Sequence, residues 1–421
     1  LMRQIHHWAA LLFVAAIAVH ALRMFFTGAF RKPRELSWVI GTAMFALAAL
    51  EGFCGYSLPD DLLSGTGLRI ADGIMYSLPV VGSYVSFFLF GGQYPGHLIV
   101  PRLYIIHVLL IPGLLLALIA AHLMLVWHQG HTQWPGKGQP DRKEIGEPLY
   151  PAFGAKTTSL FLSVFGGLCL LGAVAQINPI WLFGPYDPAV SSNGSQPDWY
   201  IGFLEGALRL MPAWETNFLG HTVAWEVFIP GAVLPAAFFL LMGGYPSIER
   251  WITGDKRTHH VLDRPRNTPT RTGLGVAIVA QALVIELAGG DDVIGYRFGF
   301  SVQGMVWALR GCFLVLPVVA FFVTRRVCVA LERADRRRAR RGIEMGIVAQ
   351  SADGEGTAYT GVSRPLTENE RAVLTTKRAD QLYQPVPRHI VPLPTPRRAA
   401  AQLRARLNHL YVVSRVENPR S

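Results

Sequence analysis

Charge is scarce in this 421-residue sequence: 16% of it is Asp, Glu, Lys or Arg, against about 25% in ordinary soluble domains. With 51% hydrophobic residues gathered into several near-continuous runs, the shortage excludes a soluble or disordered chain and places the protein in the membrane class. Cysteine is equally thin. Cys54, Cys169, Cys312 and Cys328 are scattered in or beside apolar runs, and with no CxxC or CxxCH they offer neither a disulfide framework, a zinc site nor a thioether attachment point. An initiator Met and a signal peptide are also missing; Leu1 opens almost directly into an apolar run, so an N-terminally truncated form is expected.

What is present is a set of seven candidate spans, at 2–29, 38–57, 101–128, 158–177, 222–243, 273–289 and 303–324, each long enough to approach the ~20 residues a bilayer requires. The sixth is the weakest, because Gln281 and Glu286 interrupt it. An eighth apolar stretch, 74–92, is broken by Pro79 and Gly82 and is expected to lie along a surface. If it does not cross, loops 30–36, 129–157 and 244–272 share one side with 13 Lys/Arg in 65 residues, and loops 58–100, 178–221 and 290–302 share the other with 3 in 100. The positive-inside rule puts the basic set in the cytoplasm. From Arg325 to Ser421 the count is 19 Lys/Arg against 9 Asp/Glu, a basic extension on the same side. Three regions follow: 1–157, 158–324 with the outer loop 178–221, and the extension 325–421.

Two of the runs carry histidines deep inside them. His6 and His20 are fourteen residues apart, His107 and His122 fifteen, which leaves each pair only about 40° and 60° apart around its helix. His7, about 140° from His20, does not share the face. Both helices run from outside inward, so His6 matches His107 in depth near the outer surface and His20 matches His122 toward the cytoplasm. A single intramembrane histidine is ordinarily an interhelical hydrogen-bonding group or a proton relay. Four at matched spacing point to axial ligation of two haem irons.

Gly41 and Gly55 repeat the fourteen-residue interval. That suits either close helix packing or two flat macrocycles lying against a backbone without side chains. Arg3, Arg23 and Arg102 near the ends of the histidine helices could hold propionates or snorkel to headgroups. In the long outer loop, Pro197, Asp198, Trp199 and Tyr200 place an acid between aromatic residues; in isolation this could be a turn with interfacial anchors.

In order, RQIHHWAALLFVAAIAVHALR, the WVIG…GYSLP run (38–59), LPVVG with FGG (78–92), RLYIIH…H (102–122) and PDWY (197–200) resemble cytochrome b of respiratory bc complexes. RPRNTPTRTG (264–273) and the basic extension fit the actinobacterial branch. The resemblance spans roughly 1–325 and implies an all-α polytopic bundle holding two b haems, a low-potential outer one on His6 and His107 and a high-potential inner one on His20 and His122. It further implies quinol oxidation at the outer face, with Asp198 as proton acceptor and Tyr200 beside it, and delivery of electrons to a quinone near the cytoplasmic face. Menaquinone is implied through the actinobacterial likeness. The family's PEWY is PDWY here, one methylene shorter, which puts the acid's reach in question. At the inner quinone site Lys156 is followed by Thr157 where the mitochondrial pattern has an acid, and Trp127 stands where it has a histidine. The resemblance also implies a first family helix, expected ahead of residue 1.

A Rieske iron–sulfur subunit, a cytochrome c subunit, a homodimeric partner, a terminal oxidase in a supercomplex and membrane lipid are the implied partners, in a bacterial plasma membrane. Two other readings remain: a di-haem anchor of another quinone-linked dehydrogenase, which needs no PDWY loop, and a transporter using histidine relays, which binds no haem. The arginine-rich 325–341 segment suits anionic headgroups or a cytoplasmic partner, not nucleic acid, and the Pro-rich 384–398 stretch reads as extended or mobile.

Overall fold

The computed structural model describes residues 1–141, 144–190, 196–218, 220–350, 357–375 and 395–412. Among them are seven helices long and apolar enough to cross a bilayer. In chain order, α1 (Met2–Phe26) and α2 (Glu35–Tyr56) precede two short helices, α3 (Leu62–Tyr76) and α4 (Gly82–Phe90). The break at 77–81 falls where Pro79 and Gly82 were expected to stop the eighth stretch. The third span comprises α5 (Ile99–Ile105), a π turn (Ile106–Leu110) and α6 (Ile111–Gln129). α7 (Gly154–Val174) is the fourth, so a boundary drawn at 157/158 lies inside it.

The 178–221 loop holds α8 (Ile180–Phe183) and α9 (Trp199–Leu210), and it ends in a hairpin of β1 (Glu215–Phe218) and β2 (His221–Ala224). The fifth span joins α10 (Trp225–Phe228) through a π turn to α11 (Leu234–Thr253). α12 (Pro269–Gly289) and α13 (Asp291–Phe298) follow. α14 (Val302–Arg341) runs well past the expected end of the last span and carries the first arginines of the extension as one continuous helix. Beyond it stand a hairpin of β3 (Ile343–Gln350) and β4 (Thr357–Arg364), α15 (Glu368–Thr375) and α16 (Thr395–Val412). The 384–394 part of the Pro-rich stretch lies outside the described residues. Its last four residues open α16 instead of being extended, with Pro396 in a first turn where a missing N–H costs nothing.

α12 has the largest share of its apolar window buried within the protein, 39%, against 6% for the fifth and seventh spans. It is the central helix of the C-terminal half, flanked by α9 and α14. Its polar Glu286 faces protein, opposite Gly202 of α9. In the N-terminal half α1 packs on α7 and α2, and α2 on α6 and α11.

At the end opposite α9, polar groups tie the loops together. Arg34 donates to the carbonyls of His259 at 2.7 Å, Gly130 at 2.8 Å and His131 at 2.9 Å. Asp263, fully buried, accepts from Arg31 at 2.5 Å and Arg271 at 2.6 Å, and Arg271 also reaches Glu249 at 3.1 Å. Gly28 has φ of +65° where an added Cβ would stand 2.8 Å from Arg271 Nη2, so the turn after α1 accepts only glycine on both counts. α16 docks onto this end through Tyr411 and Tyr245 (hydroxyls 2.9 Å apart), Thr270 donating to the Leu410 carbonyl and Asn408 to that of Ile252.

Candidate functional site

Two imidazole pairs stand at the two ends of the N-terminal half. His6 and His107 have ring centroids 6.0 Å apart with planes crossed at 83°. Imidazole nitrogens sit ~2 Å from a first-row metal ion; adding the half-width of each ring puts the centroids of a trans pair roughly 6 Å apart, so this separation suits one iron between two ligands. His107 lies within the π turn. That turn takes up the one residue by which the third span's fifteen-residue interval exceeds the fourteen of α1, a use typical of π turns at functional positions.

His107 Nδ1 is 3.1 Å from the carbonyl of Glu51 and 2.9 Å from its carboxylate. Both are acceptors, so Nδ1 carries the hydrogen and Nε2 is left with its lone pair. A Cβ on Gly55 would meet His107 Cε1 at 2.5 Å, so α2 can lie against this ring only through glycine. At the other end His20 and His122 are electrostatic neighbours. His122 hydrogen-bonds the Ser37 backbone, and a Cβ on Gly41 would stand 3.8 Å from its Cε1. As at His107, a glycine of α2 lies beside the ring's Cε1. These residues fit haem ligation at both ends.

The arginines behave differently from one another. Arg3 donates to the Asn178 carbonyl at 3.2 Å, Arg102 donates to the Leu89 carbonyl at 3.0 Å with its guanidinium 5.0 Å from the Phe88 ring centre, and Arg23 is exposed in the last turn of α1. Lys156 pairs with Glu147 at 3.1 Å in a setting where both side chains are about two-thirds exposed.

The PDWY segment opens α9, and Pro197 fixes the chain's approach to it. Asp198 is the N-cap residue, yet its side chain makes no cap bond. An aspartate here ordinarily accepts from the N2 or N3 backbone N–H, worth about 1 kcal/mol. Its carboxylate instead accepts from His7 Nε2, at 2.9 and 3.0 Å from its two oxygens, and from the Tyr200 hydroxyl at 3.0 Å. Asp198 and Tyr200 are buried, and Trp199 crosses the Tyr200 ring edge-on. Burial and the adjacent carboxylate push the Tyr200 phenol up, which keeps it a donor. Gly52 of α2 allows the approach, since a Cβ there would overlap the Tyr200 ring.

Residues that the sequence did not single out complete the setting. His7 is one. Glu205 and Arg209 of α9 are others: Arg209 pairs with Glu205, Asp291 and Asp292, and Gln196 donates to Asp292 at 2.8 Å, which locks α9 onto the α12–α13 corner. Burial pushes the Glu205 carboxyl up, while Arg209 opposes the shift. The signal for His7 was its place beside His6 at the outer end; the face test spoke only to ligation.

Comparison with known proteins gives three kinds of result. The family model described as "Cytochrome b(N-terminal)/b6/petB" matches residues 11–185. Three relatives each described as a cytochrome bc1 complex cytochrome b subunit are similar over most of the chain. The one from Streptomyces coelicolor is 49% identical over 91% of this chain and 69% of its own length. The one from Mycobacterium leprae is 47% identical over 86% and 65%, and the one from Corynebacterium diphtheriae 46% over 86% and 66%. The chain thus spans about two thirds of these relatives. A solved structure described as "Hyperthermophilic respiratory Complex III" aligns with TM-score 0.55 at 23% identity, over 76% of this chain and 78% of that one, a likeness of fold.

Proposed function

The chain belongs to the family of cytochrome b subunits of bc1 complexes, and from that premise we propose that it oxidises quinol at the outer membrane face and passes electrons to a quinone near the cytoplasmic face. The observation that carries the proposal is the coincidence of two imidazole pairs at opposite ends of the same helices with a buried, doubly hydrogen-bonded acid at the outer end.

His6 and His107 would hold the outer, low-potential haem b and His20 and His122 the inner, high-potential one. Bound there, the two groups supply one-electron transfer along the bundle axis. The protein's own part is positional and protolytic. Gly55 and Gly41 keep α2 free of side chains beside the ligands, and the Glu51 carbonyl fixes the His107 tautomer. Quinol oxidation releases two electrons, one taken by the iron–sulfur partner and one passed inward through this chain, and two protons, which leave on the outer side. Asp198 accepts one hydroxyl proton by general-base action and Tyr200 holds the carboxylate. Pro197 and Trp199 shape the wall around it. Arg3, Arg23 and Arg102 serve as anchors for propionates, and Lys156 lies toward the inner quinone site. Menaquinone is the expected quinone.

As a multi-pass membrane protein of this family, the chain works with a Rieske iron–sulfur subunit and a cytochrome c subunit, as a homodimer in a bacterial plasma membrane and joined to a terminal oxidase. Its basic extension faces the cytoplasm and anionic lipid. The alkaline pyridine haemochrome spectrum of the purified protein tests the reading: two b haems per chain are expected, and none would leave the transporter alternative standing. Asp198→Asn should keep both haems and slow quinol oxidation about 100-fold or more; unchanged turnover would favour a di-haem dehydrogenase anchor.

A further inference from the structure

The third histidine of α1 serves neither imidazole pair. His7 Nε2 stands 2.9 Å from one oxygen of Asp198 and 3.0 Å from the other, with the imidazole 16% exposed and the carboxylate 4%. A carboxylate accepts only, so Nε2 carries the hydrogen and shares it between the two oxygens. Asp198 therefore has two places to rest. One is the N-terminus of its own helix, which aspartate caps well. The other is the position it occupies, drawn off the terminus by His7 with Tyr200 donating to the same carboxylate.

We infer that His7 is the positioning residue for Asp198: by donating across both oxygens it holds the carboxylate away from the start of α9 and so sets the reach of an acid one methylene shorter than glutamate. The inference rests on the proposed role of Asp198 as proton acceptor. It assigns His7 no contact with iron and no change of charge. Tyr200 alone does not suffice, because it lies two residues along on the same short helix and moves with it, whereas α1 is a separate fixed element. A group 191 residues away in sequence but locked in a neighbouring span gives the acid an external reference.

The test uses the intact complex in its membranes. His7→Leu should lower the maximal rate of quinol oxidation about tenfold while the quinol KM, the haem content, the spectra and the outer haem's midpoint potential stay as in the parent. His7→Gln, which keeps an N–H donor, should recover most of the rate. In an Asp198→Asn background, His7→Leu should cause no further loss. Should the leucine variant not assemble, His7→Phe keeps the ring's bulk without a donor and gives the same comparison. Full rate in His7→Leu, rate losses that multiply in the double variant, or a loss accompanied by a shifted outer-haem spectrum would each overturn the inference. Full rate in Asp198→Asn would instead overturn the reading on which it rests, so the two failures are distinguishable.

Discussion

Asp198 and Gly55 show how much one residue's surroundings decide. Gly55 lies where a Cβ would stand 2.5 Å from His107 Cε1, so Gly55→Val should displace the imidazole and cut the haem content from two per chain to one, read by the haemochrome assay; two haems retained would show that α2 can give way. The four histidines and the acid were legible because each sits at a distinctive interval or inside a distinctive tetrapeptide. His7 was not, because its partner is 191 residues away and helical periodicity speaks only to neighbours on one helix. Arg209 and Asp291 escaped notice for the same reason: a charge at a membrane surface looks like a solvated group until the corner it locks is seen.

At the scale of elements, apolar length located all seven spans, and what it missed were extents and irregularities. α14 outruns its apolar stretch because arginines continue a helix as well as leucines do. The π turn at Ile106–Leu110 leaves no compositional mark beyond Pro112. The sixth span looked weak because Gln281 and Glu286 interrupt its apolar run, whereas α12 is the most enclosed of the spans, so those polar groups can face protein. Gly28→Ala, which combines a positive φ with a Cβ 2.8 Å from Arg271, should destabilise the protein by about 1–3 kcal/mol, seen as a lower Tm in detergent.

The turn after α11 adds a pH dependence. Burial alone would raise the Asp255 carboxyl, but hydrogen bonds from His259 and Arg257 outweigh it and hold it well below its usual 3.8. A folded-state value depressed in this way contributes stability above the unfolded value and loses it as pH falls below about 4. Asp255→Asn should therefore lower Tm at pH 7, with the difference shrinking as pH falls below about 4 and closing only below the depressed folded-state value; equal Tm values at pH 7 would refute the contribution.

For the whole molecule, the charge asymmetry between loops and the matched histidine depths give one picture: a bundle whose basic loops, buried ion cluster and docked α16 lie at one end, and whose acid and outer imidazole pair lie at the other. The hairpins and the way α16 returns to α11 and α12 were not legible, since the extension has no apolar run to announce where it folds. The central claim is that two separate imidazole pairs hold two separate haems, one near each surface. An optical redox titration of the parent and of the variants His107→Leu and His122→Leu tests it most directly. The account predicts two one-electron waves in the parent, loss of the lower-potential wave alone in His107→Leu, and loss of the higher-potential wave alone in His122→Leu. A single wave in the parent, or the same wave lost in both variants, would contradict it.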